Sequence, residues 1–545
     1  MISKGIWMKL GHGRVRGLGT LAIAMTLAAC GGGGSDAGVG FTGGGSGGGG
    51  AGSGGSTTWV QGVFPPYQQF QARCAAPRND TDINGNPWPD VQGSTVEENF
   101  FLRSYSNDTY LWYDEIVDRD PGTFSDPIDY FDVLKTEELA PSGNPKDDFH
   151  FTRDTDEWEA LSQSGVSAGY GAQFAIIANR PPRQIVVAFT DPGTPATANN
   201  LERGAELLSI DGVDVINGSD IDTLNGGLFP GAPGEVHQFE VRDPGGAMRT
   251  FSMTSASISS TPVQNVGTLP APNNTVGYML FNDHIATSEQ LLIDAITQLR
   301  DDGITDLVLD VRYNGGGFLA IAAQLAYMIS GPTQTGGRTF ELLQFNDKYP
   351  STNPVTGNPL SPIPFIDETI GYEPTTTPGQ SLPFLNLTRV FVLTGSETCS
   401  ASEAVMNGLR GVNVEVIQIG STTCGKPYGF YPVDNCGTTY FTIQFRGVND
   451  QNFGDYPDGF SPANTVGTAG VSVPGCSIGD DFSNSLGDPN EARLAAALQY
   501  RNNNTCPTPN GSGAPPEVSR LRLDADDAVS LPREPWRENR LMGLP

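Results

Sequence analysis

The sequence predicts an α/β core, a mixed sheet built from βαβ units, and three stretches predict it. Val276 to Phe281 is an apolar run followed by an amphipathic pattern from Ser288 to Leu299, with Leu291, Leu292, Ala295, Ile296 and Leu299 on one face. Asp306 to Val311 is a short buried-type strand that opens into Gly315-Gly316-Gly317 and a helical pattern from Phe318 to Ile329. Val390 to Leu393 leads through a Gly/Ser turn into a helical pattern ending at Leu409, then a β-branched run from Val412 to Ile419. Strands alternating with helices in this way describe parallel pairing with crossover helices.

Taken in order, the chain begins with an address. Lys4, Lys9, Arg14 and Arg16 precede an apolar segment, Leu18 to Leu27, too short for a permanent membrane helix, so residues 1–29 read as a secretory signal. Its end, Leu27-Ala28-Ala29-Cys30, resembles a bacterial lipobox, which implies lipid on Cys30 and, with Gly31 next, sorting to the outer membrane facing the periplasm. Residues 30–56, nearly all Gly and Ser, read as a tether. Residues 57–160 carry aromatic clusters such as Tyr110-Leu111-Trp112-Tyr113 and predict a small, mainly helical domain. Residues 165–256 change to short strands and glycine turns, and residues 260–506 hold the α/β core. Within the core, residues 331–385 are rich in Pro, Thr, Gly and Asn and predict an irregular insertion. Residues 507–545 are a tail with five arginines and no assigned role.

The whole chain has a net charge of −30, and losing the signal makes it about −34 by count. Such a surface argues against nucleic acid as a partner, and against direct adhesion to an anionic membrane, leaving lipid on Cys30 as the membrane contact. Beside Cys30 there are six cysteines, an even number in an exported chain, which predicts disulfides. The favoured pair is Cys424–Cys436, flanking a hairpin; Cys476–Cys506 is next, leaving Cys74–Cys399. No spacing suggests a zinc site, and neither a metal nor a cofactor is expected.

The chemistry concentrates between Thr394 and Lys426. Ser400 falls at the turn between strand and helix, among backbone N–H groups suited to a developing oxyanion, and Lys426 follows the next strand. Parallel neighbours would bring both to one end of the sheet. A lysine accepts a serine proton only when neutral, which requires burial, and Ile417, Ile419 and Tyr428 are the expected apolar neighbours. Ser402 is a rival nucleophile; His150 is the rival base, with His284 weaker. Glu403 is expected to favour the helix dipole, and Asp310 and Arg312 to brace the glycine turn.

Residues 165–256 resemble a PDZ domain. The match rests on the glycine-rich Gly169-Tyr170-Gly171-Ala172-Gln173-Phe174, the turn Asp191 to Ala196 and the Ile210-Asp211-Gly212 hairpin. It implies that Gly169 to Phe174 receives the carboxylate of a peptide tail added as a strand. With Leu309 to Gly317, Ser400-Ala401-Ser402-Glu403 and Gly425-Lys426 in the same order, the chain over residues 90–500 resembles the C-terminal processing (tail-specific) peptidases, relatives of the tricorn core with a crotonase-like fold. The resemblance implies a serine endopeptidase acting on exported polypeptides with free C-terminal tails. It makes Ser400 the nucleophile, Lys426 the base, and the N–H groups of Gly316 and Ala401 the oxyanion hole. Two departures stand out. The Ser-to-Lys interval is 26 residues, one longer than the family spacing, and Phe430 occupies a position where the family commonly has glutamine. A non-catalytic tail-binding scaffold and an esterase on the same serine are the alternatives.

Overall fold

The computed structural model describes residues 57–507 and the backbone of Arg540–Leu541. The signal 1–29, the lipidation site Cys30, the tether 30–56 and the rest of the tail lie outside the described residues.

A six-stranded sheet runs in the order Val263–Thr268, Val276–Phe281, Asp306–Asp310, Arg389–Thr394, Glu415–Gly420, Gly475–Ser477. The first pair is antiparallel and the others are parallel. Both faces are covered, as parallel sheets require. Leu307, Leu309, Val390 and Val392 pack against the helices Ser288–Asp301, Leu319–Ser330 and Ala401–Gly411. Val308, Phe391, Leu393, Ile417 and Ile419 face the helix Ala492–Asn503. The strands Asp306–Asp310, Arg389–Thr394 and Glu415–Gly420 are parallel neighbours, so the turns that follow them emerge together at their carboxyl ends. Those turns carry the three glycines, Ser400 and Lys426.

Residues 165–256 form an antiparallel sheet whose main path runs Met248–Thr254, Val236–Arg242, Glu206–Ile210, Gln184–Thr190, Ala172–Ala178, around its own core. Ala172–Ala178 is the edge strand, and the helix Ile221–Leu228 packs on Glu206–Ile210. Arg203 joins this sheet to the core, reaching Asp480 at 2.6 Å and the Tyr313 hydroxyl at 2.7 Å.

The N-terminal region is less separate than its composition predicts. Its aromatic cluster (Phe70, Phe100, Phe101, Tyr105, Tyr130, Phe131) includes Tyr440 of the core. Its strand Phe151–Asp154 pairs antiparallel with Thr438–Phe441. The insertion 331–385 also holds a strand, Thr339–Gln344, paired with Phe445–Val448. Its apolar residues are outnumbered by turn formers nearby, which hid it.

The disulfides correct two of the three expected pairs. Cys476–Cys506 forms as expected, but Cys74 pairs with Cys436 and Cys399 with Cys424, the latter with Cα atoms 5.1 Å apart. The hairpin turn that holds Cys436 rests on the N-terminal region, where Asn435 accepts the Ala72 N–H at 2.8 Å. Cys424 lies instead against the serine turn, its N–H donating to the Thr398 carbonyl at 3.0 Å. Proximity along the chain gave way to a closer neighbour across the fold.

Candidate active site

The site is assembled from the backbone outward. Thr398 Oγ1 donates to the Val311 carbonyl at 2.8 Å, and the Cys399 N–H donates to the Asn314 carbonyl at 3.1 Å. The serine turn is thereby sewn to the glycine turn. Ser400 then opens the helix Ala401–Gly411 with φ +56° and ψ −111°, a conformation a non-glycine residue adopts only when its surroundings enforce it. Gly317 has φ +131°, and a Cβ there would lie 2.3 Å from the His284 carbonyl oxygen, so only glycine fits.

Glu403 gathers the pieces. One carboxylate oxygen accepts the N–H groups of Ser400 at 3.0 Å and Lys426 at 2.8 Å; the other accepts Gly425 N–H at 2.9 Å and the Thr423 hydroxyl at 2.5 Å. Burial pushes this carboxyl above its ordinary value, opposed by those hydrogen bonds. The expectation that Glu403 serves mainly the helix dipole understates it. Its spacing, three residues after Ser400, is the capping-box signature that could have flagged it.

Lys426 and Ser400 are both fully buried. Lys426 Nζ lies 4.6 Å from the Phe149 ring centroid and 4.4 Å from that of Phe430. Phe430, where the family resemblance expects glutamine, thus meets the lysine with an aromatic face. Ile417 and Ile419, expected beside Lys426, belong to the cluster on the other face of the sheet, whereas Tyr428 shares a cluster with Phe149, Cys399 and Cys424. No sequence signal pointed to Phe149, some 280 residues upstream by numbering.

Asn314 is a second hub that the sequence did not single out. Its Oδ1 accepts the Gly316 N–H at 3.0 Å and lies 3.0 Å from His284 Nδ1, while its Nδ2 donates to the Phe281 carbonyl at 3.0 Å. The amide orientation makes His284 Nδ1 the donor. The Gly316 N–H named for the oxyanion hole is therefore directed at Asn314 here. Ala401 opens its helix, where a first-turn N–H has no partner within that helix.

The remaining candidates sit elsewhere. Ser402 donates its hydroxyl to the Asn314 carbonyl at 3.1 Å. His150 is stacked on Phe131, with Nε2 2.8 Å from the Phe131 carbonyl. Burial holds its pKa down at about 4, so it is neutral at pH 7. Gly169, Tyr170, Gly171, Ala172, Gln173 and Phe174 line one wall of a cavity of about 580 Å³. Leu228 and Phe229 also line it, and it extends to Asn282, Tyr313 and Glu397 of the core.

Arg312, fully buried, pairs with Asp310 at 2.9 Å, Asp480 at 2.7 Å and Glu491 at 2.8 Å, bracing the residues just before the glycine turn. Burial opposes its charge, and the three carboxylates more than offset this and hold its pKa well above the ordinary value.

Residues 275–430 match the model of peptidase family S41. A carboxyl-terminal-processing protease of a Picosynechococcus strain is 26% identical over 274 residues, covering 49% of this chain and 56% of that protein. A protease of the same name from Synechocystis is 27% identical over 167 residues, covering 30% and 38%. The chain thus spans about half, or less, of the length of the curated relatives it matches. A crystal structure from Bacteroides fragilis, assigned to the S41 proteases, superposes with a TM-score of 0.55 at 21% identity, over 77% of this chain and all of that one. That likeness bears on the fold, and the mixed α/β core is the part that carries the family match. The chain carries a peptidase S41 domain and is a homologue of the carboxyl-terminal-processing proteases.

Proposed function

We propose that this chain is a serine endopeptidase of the C-terminal processing kind, working through Ser400 and Lys426. The observation that carries the proposal is the Glu403 carboxylate, one oxygen of which holds both the Ser400 and the Lys426 backbone. In this reading Lys426 Nζ takes the Ser400 hydroxyl proton as Oγ attacks the scissile carbonyl. It returns that proton to the departing amine, and water then hydrolyses the acyl-enzyme. The Ala401 N–H, and the Gly316 N–H once Asn314 releases it, receive the oxyanion. The edge strand Ala172–Ala178 and the cavity beside Gly169–Phe174 support a PDZ-type role, in which the C-terminal tail of a substrate adds as a strand. The leader and Cys30 support a lipid-anchored enzyme at the outer membrane, facing exported proteins in the periplasm.

The test is covalent labelling by a serine-reactive probe, with peptide cleavage measured across pH for wild type, Lys426→Ala and His150→Ala, folding being checked by circular dichroism. We expect labelling that vanishes in Ser400→Ala, and cleavage lost in Lys426→Ala but retained in His150→Ala. Labelling that persists in Ser400→Ala would remove the assignment. Tight tail binding with no cleavage by wild type would favour the scaffold, which the occupied Gly316 N–H and buried Ser400 also fit.

A further inference from the structure

The tail has one described piece, and it lies at the site. Arg540–Leu541 pairs in parallel register with Gly317–Phe318, Arg540 opposite Gly317 and Leu541 opposite Phe318. Gly317 directly follows Gly316, the candidate oxyanion donor. The same two tail residues come within 8 Å, Cα to Cα, of Tyr428–Gly429, which begins two residues after Lys426. The tail backbone therefore lies beside both Gly317–Phe318 and Tyr428–Gly429, the strands that follow Gly316 and Lys426 in the chain. Gly317 already bridges His284 in parallel fashion, and the pairing with Arg540 is a second one.

We propose that the backbone edge Gly317–Phe318 is a strand-addition site for an extended polypeptide at the candidate active site, and that this chain's own residues 540–541 occupy it as an intramolecular competitor. The proposal rests on the peptidase reading for the meaning of the site. The pairing itself needs no chemistry, because main-chain hydrogen bonds supply the affinity. A tethered segment competes at an effective concentration near millimolar, so a free peptide of weaker affinity is largely excluded.

The experiment uses the full chain carrying Ser400→Ala, so that binding is read without turnover. A fluorescent peptide of residues 533–545 is titrated by anisotropy into this protein and into one that also carries Arg540→Pro and Leu541→Pro. Proline has no N–H for strand pairing. We expect the double proline change to tighten peptide binding roughly tenfold or more, as the tether no longer competes. Equal affinities would overturn the proposal. Independently, a photo-cross-linking amino acid at position 541 should join the tail, within one chain, to peptides containing Gly317–Phe318 or Tyr428. Cross-links elsewhere, or only between chains, would also overturn it. Because neither readout needs catalysis, an inactive wild type would defeat the peptidase reading and leave this inference standing. Full activity without the cross-link would do the reverse.

Discussion

At the scale of single residues, Glu403 decides the geometry. Its two oxygens accept from four donors, so replacing one oxygen by an amide sets an NH₂ against two donors. Each buried donor left without an acceptor costs about 1–3 kcal/mol. Glu403→Gln is therefore expected to lower stability by about 2–4 kcal/mol in chemical denaturation. It should also cut kcat by about 10- to 100-fold while KM changes little, because the turns of Ser400 and Lys426 lose their common anchor. An unchanged kcat in a folded variant would show that the bracket is structural only. Phe430 makes a complementary case. Phe430→Gln would restore the residue expected from the family resemblance but remove an aromatic face 4.4 Å from the lysine.

At the scale of elements, the disulfide Cys399–Cys424 links the turn before Ser400 to the turn before Lys426. The cross-link spans 25 residues, and closing a loop of this size contributes about 3 kcal/mol in the chain-entropy view. Reduction, or Cys399→Ala with Cys424→Ala, is expected to reduce labelling of Ser400 and to lower the melting temperature. Non-reducing peptide mapping should recover Cys399–Cys424 and Cys74–Cys436; recovery of Cys424–Cys436 would contradict the arrangement described. The long helices and parallel strands were legible from periodicity alone, since each runs through a continuous apolar pattern. The strand Thr339–Gln344 was not, because its partner Phe445–Val448 lies about a hundred residues away and its flanks read as loop.

At the scale of the molecule, buried charge joins the smaller sheet to the core. Asp480 contacts Arg203 and Arg312 and lies 3.9 Å from Arg493. Burial works against its ionisation, yet Arg493, Arg312 and Arg203 hold its carboxyl well below the usual range. Asp480→Asn leaves three buried guanidinium groups short of an anion and is expected to cost about 3–5 kcal/mol in denaturant unfolding. Two buried histidines, together with Asp480, set the pH dependence. His150 and His284 are buried and neutral, with pKa values lowered by burial to about 4 and about 3 from 6.5. The unfolded chain then takes up protons that the folded chain refuses. Stability is full above pH 6.5 and falls as pH drops toward 4, by about 1.4 kcal/mol per pH unit for each histidine. Asp480, depressed in the fold, adds a further loss below the unfolded carboxylate value. Melting temperatures at pH 8 and 7 should be nearly equal and should fall at pH 6 and again at pH 5, and His150→Phe should flatten that fall; a wild-type profile flat from pH 7 to pH 5 would rule this out.

The alternation of strands and helices is written in the local pattern of residues, and with it the position of Ser400 and Lys426 in turns at one end of a parallel sheet. Local periodicity and turn chemistry are properties of neighbouring residues, so they survive without a partner. Which groups surround those turns follows from the folded chain. Phe149 meets Lys426, Asn314 takes the Gly316 N–H, Cys424 finds Cys399, and residues 540–541 pair beside the glycine turn. Each is a contact between segments distant in the chain, chosen by packing and hydrogen-bond satisfaction across the whole fold rather than by any local pattern.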